Sequence, residues 1–140
     1  MTRTVFFGTP TEQERKTYEV VLSAQKKAAE KIKSLFSHPN SSIKVSDIDK
    51  TAREYIISKN FPSIPHSIGH GIGLEVHEPP RLTPLSTDIL SEGMVFSIEP
   101  GIYHPGRYGI RIEDIFAIEN DDLIQLTKSE KKLLELPVSS

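Results

Sequence analysis

The pattern of apolar residues changes near Asn60, and this change constrains the fold more than any other feature of the sequence. Before Asn60, apolar side chains recur every three or four residues, which is the spacing of helices that bury one face. After it, glycine and proline become frequent and apolar residues fall in short runs of β-branched and aromatic types. The sequence therefore predicts helices first and a sheet of short strands second.

The first long helix has a recognisable beginning. Thr9 is expected to cap it, Pro10 to occupy its first position, and Glu12 to complete a capping box. The helix is expected to continue to about Phe36. Its apolar stripe is predicted to consist of Tyr18, Val21, Leu22, Ala28, Ala29, Ile32 and Leu35.

Other segments have weaker patterns that still predict their secondary structure. Residues 2–7 predict a strand, and a strand this apolar needs a neighbour to pair with. A loop is expected at residues 37–42, and a second helix from Ser46 or Asp47. The prolines at 79, 80 and 84 are expected to form a long connection. Later strands are predicted near residues 68–76, 94–99, 110–118 and 122–126, followed by a short helix at 128–136.

Composition excludes several kinds of function. The chain has no cysteine, which excludes disulfides, thiolate metal sites and cysteine nucleophiles. A net charge of −2 gives no attraction to nucleic acid or to anionic membranes. No apolar run is long enough to cross a bilayer, and the first ten residues do not resemble a secretory signal. We therefore expect a cytoplasmic protein without nucleic-acid or membrane partners.

Three histidines stand out in a segment punctuated by glycine, residues 66–78. Glycines allow the backbone to approach a ligand or metal closely. His66 and His70, four residues apart, would share a face. His70 and His77, seven residues apart, would lie on opposite faces of a regular strand, or on one face if a bulge intervenes.

Two carboxylates lie among apolar neighbours. Glu99 ends an apolar strand, and Glu113 shares one strand face with Arg111. Burying a carboxylate is costly unless it is paired or binds a metal. Glu113 could therefore form a simple ion pair with Arg111, and Glu99 could face water at a strand end. Alternatively, one imidazole and two carboxylates on adjacent strands suit divalent ions such as Mn, Co or Zn.

Residues 66–78 (HSIGHGIGLEVHE) closely resemble the signature of the proline-specific M24 metallopeptidases, aminopeptidase P and prolidase. Residues 99–103 (EPGIY) and 111–114 (RIED) resemble the next two blocks of that family, in the same order. Residues 2–4 (TRT) resemble the end of a family strand that reads Ser-Asp-x-Thr-Arg-Thr. The resemblance covers essentially the whole chain. It implies the α+β pita-bread fold, a curved and mainly antiparallel sheet with two helices on its outer face.

The resemblance also implies an activity, which is hydrolysis of the peptide bond before proline in short peptides by two divalent ions. It implies that His70, Glu99 and Glu113 are metal ligands, with Glu113 bridging the two ions. Glu99 would in addition transfer protons, and His77 would contact the substrate and stabilise the tetrahedral intermediate. His66 would shape the substrate pocket. Arg111 would hold Glu113 or the carboxylate region of the substrate.

One part of the family pattern has no counterpart in this sequence. The family takes two aspartate ligands from upstream strands, the second shortly before Thr-Arg-Thr, and that place falls at Met1 or beyond it. The aspartates that are present lie in other segments. We therefore expect residues 1–140 to be the carboxy-terminal portion of a catalytic domain without its upstream half. Such a portion would be inactive alone, and the longer parent protein would be a homodimer.

Three alternatives remain open from the sequence. The chain could be a non-catalytic pita-bread module that binds a partner. It could be related to methionine aminopeptidases, although their last ligand block usually has a glutamine-containing stretch in place of residues 111–114. It could also resemble creatinase, which shares the fold but works without metal. A sheet edge left without a neighbour would favour self-association in any of these cases.

Overall fold

Two helices form one layer of the molecule. The computed structural model of the chain describes residues 1–36 and 42–138. Helix α1 spans Glu12–Phe36 and helix α2 spans Val45–Ser58, and the two pack against each other. Both predicted helices are confirmed, while most of the loop expected at 37–42 lies outside the described residues.

The beginning of α1 differs from the prediction. The backbone N–H of Glu14 donates to the Thr11 hydroxyl at 3.3 Å, and the backbone N–H of Thr11 donates to the Glu14 carboxylate at 2.7 Å. This is a reciprocal capping box, which satisfies two backbone donors at once. The expected cap at Thr9 with Glu12 is wrong, because the same Thr-x-x-Glu spacing occurs two residues later, directly at the first helical turn.

The second layer is a five-stranded sheet in which every neighbouring pair is antiparallel, as expected. Helix α1 packs on its central and outer strands, and α2 packs on the opposite edge strand. Buried side chains from both layers, including Ile32, Ile56, Phe96 and Ile98, form one continuous core. The strand order is β10 (Asp122–Gln125), β9 (Asp114–Glu119), β6 (Val95–Ile98), β3 (Gly69–Gly71) and β4 (Glu78–Leu82).

Three small two-stranded sheets complete the fold. Their strands are β1 (Val5–Phe7), β2 (Ile43–Lys44), β5 (Ile89–Leu90), β7 (Gly101–His104), β8 (Tyr108–Arg111) and β11 (Leu134–Leu136). The antiparallel pairs are β2 with β5 and β7 with β8, whereas β1 pairs with β11 in parallel. The apolar first strand therefore obtains its neighbour from the other end of the chain.

This pairing corrects the prediction of a helix at 128–136. Leu134–Leu136 is a strand, and the backbone N–H of Gly8 also donates to the Leu136 carbonyl at 2.8 Å. The segment is rich in helix-forming residues, but the open edge of β1 offers backbone hydrogen bonds that a short terminal helix would lack. Tertiary context outweighs local propensity at this point.

Two predicted strands differ in extent from the observed ones, since one is shorter and the other is divided into two. The strand expected at 68–76 ends at Gly71, and the chain then continues to β4, which contains Pro79 and Pro80, two of the three prolines assigned to a connection. Proline is tolerated there because β4 is an edge strand. The strand expected at 110–118 divides into β8 and β9 around Ile112 and Glu113. None of the helices within the described ranges could cross a membrane, since none is both long and apolar enough.

Candidate metal and substrate site

An open cavity of about 450 Å³ lies beside β3, β6 and the junction of β8 with β9. Five of the six predicted site residues line it, and His66 is the exception. These five are His70, His77, Glu99, Arg111 and Glu113. The fold therefore brings together residues that lie more than forty positions apart in the chain.

His70 is held in place by glycines on both sides. A Cβ atom on Gly69 would lie 2.0 Å from the Ser97 carbonyl oxygen, and one on Gly71 would lie 2.2 Å from the Pro79 carbonyl oxygen. Real side chains cannot approach backbone so closely, so only glycine permits β3 to pass between its two neighbours. These glycines allow close approach between neighbouring strands, whereas the predicted approach of the backbone to a ligand or metal stays a prediction. His70 is consequently buried between β4 and β6.

The side chains of His70 and Glu99 face each other in the cavity, with 3.2 Å between His70 Nε2 and Glu99 Oε1. The Nδ1 atom of His70 lies 3.0 Å from the Gly71 carbonyl oxygen, which can only accept, so we assign the proton to Nδ1. The Nε2 lone pair then points at Glu99 Oε1, which is 3.2 Å away. Two acceptors at this distance repel each other unless a cation, either a proton or a metal ion, lies between them.

Ser97 forms hydrogen bonds with both His70 and Glu99. Its hydroxyl accepts from the backbone N–H of His70 at 3.1 Å and donates to Glu99 Oε1 at 3.1 Å. The Ser97 side chain is fully buried. Sequence reasoning missed this residue, although strand alternation places it on the same face as Glu99.

Glu113 lies at the break between β8 and β9 and is held by the first residues of the chain. The backbones of Thr2 and Glu113 form an isolated antiparallel bridge, and the Thr2 hydroxyl donates to Glu113 Oε2. The Arg3 guanidinium donates to the Glu113 carbonyl oxygen at 2.6 Å. The Thr-Arg-Thr segment therefore contacts the last predicted ligand directly, a role that the sequence alone did not reveal.

Asp114, next to Glu113, is fully buried behind the cavity. Its carboxylate accepts hydrogen bonds from Arg3 at 2.6 Å, Lys131 at 2.7 Å and Thr127 at 2.7 Å. Burial alone would raise the pKa of Asp114, but the hydrogen bonds from Lys131, Arg3 and Thr127 outweigh burial and hold that pKa below its ordinary value of 3.8. The carboxylate is therefore ionised and compensated at neutral pH.

His77 and Arg111 lie at the open side of the cavity. The ring of His77 contacts that of His70 with centroids 4.2 Å apart and planes tilted by 48°, although His77 is exposed on the loop after β3. Neither strand alternative for His70 and His77 applies, because β3 ends at Gly71 and the register shift after His70 leaves its extra residues in β4. Arg111 Nε lies 3.9 Å from Glu99 Oε2. Across residues 1–36 and 42–138 there is no ion pair between Arg111 and Glu113, so that alternative is not supported.

His66 lies apart from the cavity wall. Its Nδ1 donates to the Ser67 carbonyl at 2.7 Å, so its Nε2 accepts from the Tyr103 hydroxyl at 2.8 Å. The two rings meet edge to face, with centroids 5.5 Å apart. His66 therefore contacts Tyr103 on β7, and its expected influence on the substrate pocket stays a prediction.

These donors suit a divalent cation in kind, because imidazole and carboxylate ligands are typical of Mn, Co and Zn sites. His70 Nε2 and Glu99 Oε1 lie 3.2 Å apart, and Glu113 lines the same cavity. In the part of the chain that the structure describes, however, no group of three or more His, Cys, Asp or Glu side chains is arranged to hold a metal ion. The residues present fit part of a metal site.

Comparison with known proteins agrees with this geometry. Residues 1–120 match the model of metallopeptidase family M24. The chain is 44% identical over 135 residues to the Xaa-Pro dipeptidase of Pyrococcus furiosus, which covers 96% of this chain and 37% of that protein. The chain thus spans little more than a third of the length of the curated relatives it matches.

Solved structures agree as well. A dipeptidase from Pyrococcus horikoshii superimposes with a TM-score of 0.85 at 41% identity, over 96% of this chain and 36% of that one. An X-Pro aminopeptidase from Thermotoga maritima superimposes with a TM-score of 0.84 at 33% identity, over the same shares. The α+β pita-bread fold expected from the sequence is confirmed. The chain belongs to metallopeptidase family M24.

Proposed function

We propose that this chain is the carboxy-terminal portion of a catalytic domain that hydrolyses the peptide bond before proline in short peptides. The observation that carries the proposal is the approach of His70 Nε2 and Glu99 Oε1 to 3.2 Å in a cavity that Glu113 also lines. The names of the similar proteins, Xaa-Pro dipeptidase and X-Pro aminopeptidase, support proline as the specificity.

His70, Glu99 and Glu113 would hold the metal, and further ligands would come from a longer parent protein, since the chain spans about a third of the length of its relatives. Divalent ions bound there would polarise the scissile carbonyl and activate water near neutral pH. Manganese, cobalt and zinc all accept imidazole and carboxylate ligands, so the proposal covers all three. Alone, the chain would bind one ion weakly and turn over little substrate.

The residues of this chain have distinct tasks in the proposal. Glu99 would accept a proton from the attacking water through Oε2, because its Oε1 already accepts from Ser97 and faces His70. His77, exposed at the cavity mouth, would donate a hydrogen bond to the carbonyl oxygen of the scissile bond as negative charge develops there. Arg111, partly exposed beside Glu99, would bind a substrate carboxylate.

The parent protein is proposed to be a cytoplasmic homodimer. The edge formed by β1 and β11 supports self-association, because Val5, Phe7 and Leu134 are exposed there. Light scattering over a range of concentrations tests this part of the proposal. A monomer at every concentration would contradict it for this chain.

A chimaera tests the proposed activity. This chain would replace the matching 135 residues of the Pyrococcus furiosus Xaa-Pro dipeptidase, to which it is 44% identical. We expect metal-dependent release of proline from an Xaa-Pro dipeptide, and loss of that activity in the His70→Ala and Glu113→Gln variants. Glu119→Gln is the matched control, because Glu119 is an exposed glutamate on β9.

The chimaera also separates peptidase from binding module. A chimaera that folds and binds Mn²⁺ but hydrolyses no Xaa-Pro peptide would contradict the peptidase and favour the non-catalytic alternative. Activity that survives His70→Ala would instead contradict the assignment of the ligands.

A further inference from the structure

A buried glutamine on α1 contacts the strand ends that carry both predicted carboxylate ligands. Gln25 is completely buried, although it lies in the middle of an apolar helix face. Its Nε2 donates to the Ile98 carbonyl at 3.1 Å and to the Ile112 carbonyl at 3.3 Å. Ile98 immediately precedes Glu99, and Ile112 immediately precedes Glu113. One amide group therefore joins the two segments that project into the cavity.

The orientation of this amide follows from its partners. Its oxygen accepts from Lys131 Nζ at 3.1 Å, and an ammonium group can only donate. Its nitrogen has two hydrogens for the two carbonyls. The opposite orientation would place an oxygen against two acceptors and a nitrogen against a donor, so the assignment is chemically unique. Lys131 in turn binds Asp114, which extends the network to Arg3.

These contacts control the direction of the carboxylates through the peptide plane. A carbonyl lies in the same rigid plane as the nitrogen and Cα of the next residue. Fixing the carbonyls of Ile98 and Ile112 therefore fixes the planes from which Glu99 and Glu113 begin. The other side of the first plane is also fixed, because the Glu99 N–H donates to the Ile68 carbonyl at 2.6 Å. The Glu113 N–H donates to the Thr2 carbonyl at 3.0 Å.

We propose that Gln25 is a positioning residue, which sets the relative placement of the Glu99 and Glu113 carboxylates from the helix layer behind them. This inference rests on the proposed function, in which both carboxylates bind the same metal centre. A residue that only filled the core would not need two donated hydrogen bonds to these two carbonyls. Replacing such supporting residues typically lowers metal affinity by about 10–100-fold.

The test compares two variants with a destabilised control. Gln25→Glu keeps the shape and the contact with Lys131 but removes the paired donors, and Gln25→Met removes all polar contacts. Ile32→Val is the control, because Ile32 is equally buried on the same helix and has no part in the network. The primary measurement is NMR of the metal-free chain with ¹³C-labelled glutamate, which reports the χ1 rotamers of Glu99 and Glu113 through scalar couplings.

We expect single rotamers at Glu99 and Glu113 in the unsubstituted chain and in Ile32→Val, and rotamer averaging at both residues in each Gln25 variant. Unchanged rotamers in the Gln25 variants, or equal averaging in Ile32→Val, would overturn the inference. A parallel titration with Co²⁺ keeps the two proposals apart. If the unsubstituted chain bound no Co²⁺, the proposed metal function would be contradicted, whereas the rotamer comparison would still decide the role of Gln25.

Discussion

The back wall and the front rim of the cavity are built in different ways. The back wall carries Glu99 and Glu113 on strand ends, and buried polar groups such as Ser97 and Asp114 hold these ends. The front rim is the loop of residues 73–77, in which Leu74 is 106% exposed. The predicted metal ligands are therefore positioned by the fold of this chain. The predicted substrate contact, His77, depends on a loop with little support behind it.

The largest expected effect is on the back wall. Asp114→Ala would leave Arg3 and Lys131 without their shared buried partner, so we expect the free energy of unfolding to fall by about 3–5 kcal/mol. Urea denaturation measures the change. Glu54→Ala is the control, because Glu54 forms an exposed pair with Lys50 and should cost less than about 1 kcal/mol. Equal losses in the two variants would contradict the distinction between buried and exposed pairs.

The next effect is the dependence of stability on pH. The pKa of Asp114 is held below 3.8 in the folded chain, so the ionised form stabilises the fold above that value. This stabilisation is lost as pH falls through the lowered pKa. The difference in unfolding free energy between the unsubstituted chain and Asp114→Asn should therefore be constant near neutral pH and shrink below about pH 3.8. A difference that grew on acidification would have the wrong sign.

A pair of glycines compares wall and rim directly. Gly69→Ala would press a methyl group against the Ser97 backbone, and we expect a loss of about 1–3 kcal/mol. Gly73→Ala would meet only the carboxylate of Glu78, which can rotate away, so its loss should be under about 1 kcal/mol. Thermal unfolding of both variants tests the order. A larger loss at Gly73 would show that the rim is the more rigid region.

The smallest effect is expected at the rim itself. His77→Ala should change the free energy of unfolding by less than about 0.5 kcal/mol, because His77 is exposed and its ring contacts the tilted ring of His70 at the cavity mouth. In the chimaera with the Pyrococcus furiosus relative, the same substitution should lower kcat by at least about 100-fold if His77 stabilises the developing charge. Unchanged kcat would remove His77 from the proposed chemistry.

A similar contrast, between features set by local sequence and features set by contacts between distant segments, explains what could be predicted from the sequence. The two helices and the strands near 94–99 and 122–126 follow from local periodicity, and the structure confirms them. His70 and Glu99 could be found because histidine and glutamate in a glycine-rich or apolar strand are unusual. The strand at 68–76 was predicted too long, because β3 ends just after its register with β4 shifts, and that shift depends on pairing between the two strands.

The supporting residues could not be predicted, for a related physical reason. Gln25, Ser97 and Thr2 are ordinary polar residues in sequence, and their roles arise only when distant segments meet. The prediction of a helix at 128–136 was wrong for the same reason, because the partner of β11 is at the other end of the chain. Local patterns identify the elements and the reactive side chains, whereas long-range pairing decides how they are held.

The central claim is that His70 and Glu99 are ligands of one metal ion, and its most direct test is whether the two residues bind a divalent cation together. Calorimetric titration of the 140-residue chain with Mn²⁺ measures this, with Glu119→Gln as the exposed control. We expect one weak site, which disappears in His70→Ala and in Glu99→Gln and remains in Glu119→Gln. Absence of binding at millimolar Mn²⁺, or binding that survives both site substitutions, would contradict it.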